Sequence, residues 1–100
     1  LSYLQGQTVQ LTATFERAVD PTADPVVWTP FDPASVGFNY TPQDSPTVRI
    51  TFPDGRITNP ATGVFVAVLT LDIPGTTTYR FSGTGTGASG AIHVDADPNY

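Results

Sequence analysis

The sequence predicts an all-β domain without helices, and three observations carry that prediction. Ten prolines and nine glycines punctuate the 100 residues every few positions, too often for a helix of ordinary length to run on. The segments between them are rich in threonine, valine and aromatic residues, which fit a pleated, half-buried surface. Several of these segments alternate apolar and polar residues with period two, the spacing that sends successive side chains to opposite faces of a strand.

The densest apolar run is Gly63-Val64-Phe65-Val66-Ala67-Val68-Leu69-Thr70-Leu71, closed by Asp72-Ile73-Pro74-Gly75 and resumed from Thr76 through Tyr79-Arg80-Phe81-Ser82-Gly83. It reads as two antiparallel strands joined at a tight corner, the spine of the domain. Val64, Val66 and Val68 share one face, and Phe65, Ala67, Leu69 and Leu71 the other. Antiparallel sheets normally wet one face, so the outer one calls for cover by the loop bearing Trp28 or by another protein chain.

The remaining strands follow in order. Thr8 to Phe15 alternates strictly, with Val9, Leu11, Ala13 and Phe15 on its apolar side. Asp20-Pro21, Asp24-Pro25, Thr29-Pro30 and Asp32-Pro33 then mark a long, proline-stiffened loop. Within it Val26-Val27-Trp28 is either a short edge strand or a lid folded back onto the sandwich. Val36-Phe38-Tyr40 and Val48-Ile50-Phe52 align two further half-buried strands, Val36 to Thr41 and Thr47 to Phe52, the second ending at the Pro53-Asp54-Gly55 turn. A short arm, Arg56-Ile57-Thr58, leaves that turn, and Asn59 to Gly63 resets the chain. Ala91-Ile92-His93-Val94 is the final strand, followed by a polar tail from Asp95 to Tyr100. About seven short antiparallel strands separated by turn signals predict a single immunoglobulin-like β-sandwich domain over residues 1–100.

Composition narrows the function. Hydrophobic residues at 39% and charged ones at 13% indicate a globular, soluble chain, and no apolar run approaches the ~18 residues of a membrane span. A net charge of −5, no lysine, and arginine only at Arg17, Arg49, Arg56 and Arg80 argue against nucleic acid as a partner. Zero cysteine removes disulfides, thiolate nucleophiles and sulfur-bound metals. Leu1 to Gln10 shows no signal-peptide pattern, while a start without Met suggests trimming, so export stays open.

The search for chemistry returns little. Gly85-Thr86-Gly87-Ala88-Ser89-Gly90 spells a dinucleotide fingerprint, but strand residues follow where the phosphate-binding helix would begin, so it reads as a hairpin loop. His93 is the single histidine, placed on the solvent face by alternation against Ile92 and Val94, with no nucleophile motif to serve. Asp20, Asp24 and Asp32 share a loop and Asp95 and Asp97 are close, yet eight of the nine acidic residues are aspartates at turn positions and match no calcium loop. Tyr79 is either a tyrosine-corner residue or a plain buried aromatic. Asn39-Tyr40-Thr41 spells a glycosylation acceptor without other secretory signals. No catalytic residue, cofactor or metal site is assigned.

Gly6 through Phe15, Asp32 through Pro42, Ile57 through Phe65, Asp72-Ile73-Pro74-Gly75 and Tyr79 through Gly85 together resemble small immunoglobulin-like proteins of tailed bacteriophages and prophages. The resemblance spans nearly the whole chain through turn and core residues. It implies a non-enzymatic virion protein, a capsid decoration subunit or a head-to-tail junction component. Its implied partners are the major capsid protein or other head and neck proteins, with a homo-oligomer as a further possibility. The residues themselves nominate Val26, Val27, Trp28 and Phe31 for contact, because aromatic anchors beside proline-stiffened backbone lose little entropy on docking. The alternative is an immunoglobulin-like module of a tail fibre or cell-surface protein that recognises carbohydrate or a receptor, with Trp28, Tyr40 and threonine-rich faces as contacts.

Overall fold

A computed structural model describes residues 2–84 and 87–99. Ten strands form among them: β1 (Ser2–Leu4), β2 (Thr8–Thr14), β3 (Glu16–Ala18), β4 (Trp28–Pro30), β5 (Gly37–Thr41), β6 (Val48–Thr51), β7 (Ile57–Ala61), β8 (Val64–Thr70), β9 (Gly75–Ser82) and β10 (Ser89–Asp95). The described residues contain no helix, and so none long and apolar enough to cross a membrane. A five-stranded sheet has the order β1-β10-β9-β5-β6, a three-stranded sheet the order β2-β8-β7, and β3 and β4 form a separate hairpin. All pairings are antiparallel except that of β1 with β10, which is parallel.

The two larger sheets share their core. Ala13 of β2, Ile57 of β7 and Phe65 and Ala67 of β8 meet Phe38 of β5, Ile50 of β6 and Phe81 of β9, with Phe15 and Val36 at one end. Val9, Leu69, Leu71, Ile92 and Val94 form a second buried group, and Leu11, Tyr40 and Tyr79 pack against both. Period-two alternation builds this layer, since every second residue of β2, β5, β8 and β10 points into it. Phe38 lies 4.8 Å from Phe81 and 6.1 Å from Tyr79, centroid to centroid, within the range of favourable aromatic contact. Tyr79 is thus a half-buried packing aromatic beside Phe38.

Four expectations change. The runs before and after Pro74-Gly75 are not a paired hairpin: β8 bonds to β2 and β7, and β9 to β10 and β5, so residues 71–74 carry the chain from one sheet to the other. Alternation looks the same for a hairpin as for a crossover, but here it lets the stripes Phe65-Ala67-Leu69 and Thr77-Tyr79-Phe81 face each other. Gly75 takes φ +110 beside Gln43, whose Oε1 accepts from the Thr76 amide at 3.1 Å. Second, ten strands replace about seven, because β1, β3 and β4 are three residues each, too short for a periodic signal. Third, β6 ends at Thr51, leaving Phe52 exposed beyond the strand with its ring edge-on to Phe65 at 5.3 Å. Fourth, Trp28 begins β4 in the separate hairpin, so the loop forms an edge pair of its own, two residues later than Val26-Val27-Trp28 suggests.

The outer valines of β8 are half-buried. Val66 stands between Thr12 of β2 and Thr58 of β7, and Val64 and Val68 face Thr14 and Gln10 across β2. Directly opposed side chains on one face approach closely enough to cover each other's flanks.

Candidate functional site: an exposed apolar hairpin

Short polar interactions and one ring contact shape the segment from Glu16 to Pro30. Arg17 pairs with Thr29 and Ala18 with Trp28, and the Val19 amide extends the ladder to the Val27 carbonyl at 2.9 Å. At the loop, Asp20 Oδ1 accepts from the Thr22 amide at 2.9 Å and the Thr22 hydroxyl at 2.7 Å, an Asx turn that holds the Asp20 carboxyl below its ordinary pKa. The Asp24-Pro25 peptide is cis.

The hairpin is fixed at its root. The Phe15 amide donates to the Gly63 carbonyl at 2.7 Å, and the Phe31 amide to the Phe15 carbonyl at 3.1 Å. Asp32 Oδ1 accepts from the Gly63 amide at 2.7 Å and from Asn59 Nδ2 at 3.3 Å, while Asn59 Nδ2 also reaches the Ala61 and Val64 carbonyls at 2.8 Å. Gly63 takes φ +77, and a Cβ there would stand 2.7 Å from the Phe15 carbonyl oxygen, so only glycine lets these strands approach.

Of the four nominated contacts, the structure leaves three exposed on the hairpin. Val26, Val27 and Trp28 are exposed, Trp28 at 52%, and Val19 joins them at 65%. Phe31 is corrected out of this patch: it is half-buried against the core, with the Arg17 guanidinium 5.3 Å above its ring. Its backbone bond to Phe15 and the cation–π contact hold it inward. Val19 was missed because it lies across the prolines from Val27, and only the register of the hairpin reveals their pairing. The hairpin thus carries four of the six exposed large apolar residues described, the others being Leu4 and Phe52.

No family model, curated protein or solved structure matches this chain.

The titratable groups stay dispersed. His93 is exposed, its Nε2 3.0 Å from Asp95 Oδ1. Asp32 belongs to the hairpin root and Asp20 to its loop, so these two loop aspartates have separate tasks. No three His, Asp or Glu side chains converge as metal ligands among the described residues. Gly85 and Thr86 lie outside the described residues, but the dinucleotide-like run ends in β10 and opens no helix.

Proposed function

We propose that this chain is an immunoglobulin-like sandwich serving as a non-enzymatic structural component of a tailed-phage virion, docking onto another virion protein through the β3–β4 hairpin. The observation that carries the docking surface is the exposure of Val19, Val26, Val27 and Trp28 on a hairpin tied down at Phe15, Asp32 and Gly63. A fixed backbone presenting a tryptophan on one face and the Val19–Val27 pair on the other loses little freedom when a partner closes around it. The strand orders support the immunoglobulin-like reading: β2-β8-β7 stand as strands B, E and D, and β10-β9-β5-β6 as G, F, C and an added C′. Phe38, fully buried on β5, takes the central position that a tryptophan holds in antibody domains. The resemblance to phage proteins supplies the virion, and the partner is the major capsid protein or another head or neck protein.

Trp28→Ala together with Val27→Ser should abolish incorporation into particles while the isolated domain keeps its strand-type circular dichroism. Full incorporation of that folded double variant would remove the hairpin as the docking surface. Capsid and portal genes beside this gene are expected, and a gene neighbourhood without virion components would remove the virion assignment.

A further inference from the structure

Two of the four arginines are used within the fold: Arg17 covers Phe31, and Arg56 bonds Asp54 at 3.1 Å. The other two, Arg49 and Arg80, have no carboxylate partner among the described residues, and both are exposed. They stand on one face. Register places Arg49 of β6 opposite Asn39 of β5, and Asn39 opposite Arg80 of β9, so the guanidiniums rise from one cross-strand row on the outer side of the five-stranded sheet. Strand spacing sets their Cα atoms about 10 Å apart.

The neighbouring rows are neutral. Thr47, Thr41, Thr78 and Ala91 form one, and Thr51, Gly37 and Ser82 the other, without a carboxylate. Arg49 borders two open hollows: one of about 480 Å³ beside Gly37, the other of about 470 Å³ shared with Arg80. A Cβ at Gly37 would come within 2.7 Å of Ser82 Oγ and fill part of the first. Glycine inside a strand, where it costs stability, marks a place of close approach.

We infer that this face binds an extended, carboxylate-bearing segment of a partner protein, with Arg49 and Arg80 each clamping one carboxylate and Asn39 and the threonines bonding the backbone between. Charge complementarity selects the occupant: two unpaired guanidiniums in a chain of net charge −5 suit a short acidic segment. A nucleic acid needs a larger array of cations than two. A glycan site needs an aromatic platform, and these rows present none. The inference does not rest on the hairpin and fails independently of it.

The test uses NMR on the intact chain, titrated with a short peptide of alternating glutamate and threonine. The expected result is amide shifts confined to β5, β6 and β9, roughly tenfold weaker binding in each of Arg49→Gln and Arg80→Gln, and loss of binding in the double variant. Trp28→Ala should leave the titration unchanged. Absence of binding, equal binding by the double variant, or shifts centred on the hairpin would overturn the inference. So would saturable binding of a heparin fragment in the peptide's place, or self-association through this face that the double variant abolishes.

Discussion

Val26-Val27-Trp28 and Val64-Phe65-Val66-Ala67-Val68 are two stretches of similar composition with opposite fates. The second lies in a strand paired on both sides, so even its outward valines are half-buried by opposed threonines and a glutamine. The first enters a strand paired on one side only, and its side chains stay exposed. Apolar content does not decide burial in this molecule; the number of neighbouring strands does. The exposed stretch is also short and proline-flanked, which limits strand addition along its free edge.

The largest effect separates the two directly. Phe65→Ala removes a ring that meets Phe15 at 5.6 Å and Phe52 at 5.3 Å, and should cost about 3–5 kcal/mol in a denaturant melt. Trp28→Ala should cost no more than about 1.5 kcal/mol in the same melt, since about half of its side chain is already in water at 52% exposure. Comparable losses for both would mean that the hairpin packs down onto the sheets, and the contrast would collapse.

The next effect concerns the joint between the regions. Gly63→Ala forces a side chain into left-handed backbone against the Phe15 carbonyl, at a cost of about 1–3 kcal/mol. Asp32→Ala, which strips the acceptor from the Gly63 amide, should cost about 1–2 kcal/mol. Hydrogen exchange should show the Phe31 and Gly63 amides opening first in both. If exchange there stays slow, the root does not anchor the hairpin.

Much of the core was legible because its residues alternate within single segments. Val9-Leu11-Ala13-Phe15 and Val36-Phe38-Tyr40 need only a period of two to reveal the inward side. What alternation cannot express is which strand lies beside which. The separation of β8 from β9, the pairing of Ser2 with His93, and the arginine row built from positions 49 and 80 all depend on register between distant segments. Phe31 illustrates the same limit at the site. Beside Trp28 in sequence it looks like a second anchor, but Arg17 and Phe15 hold it against the core.

A smaller effect refines the comparison within the valines themselves. Val66→Thr places a hydroxyl at a half-buried position between two threonines and should cost about 0.5–1 kcal/mol, whereas Val27→Thr should be neutral in the melt. Equal costs would show that cross-strand cover contributes nothing at Val66.

The smallest effect is electrostatic and again differs between the regions. Asp54 is held below its ordinary pKa first by the Arg56 side chain, whose Nε donates to Oδ1 at 3.1 Å, and then by the Arg56 amide at 2.9 Å. Asp20 is lowered by the Thr22 hydroxyl and amide. A carboxyl with a depressed folded-state pKa contributes stability that is complete above its unfolded pKa and is lost as pH falls through the folded one. The melting temperature should therefore hold from neutrality down to the ordinary aspartate range and decline below it. Asp54→Asn should remove part of that decline, because its turn leads from β6 in one sheet to β7 in the other. Asp20→Asn should leave the melt unchanged and only speed exchange at the Thr22 and Ala23 amides, since its turn belongs to the hairpin. An acid dependence of the global melt that follows Asp20 instead would show the hairpin unfolding together with the core.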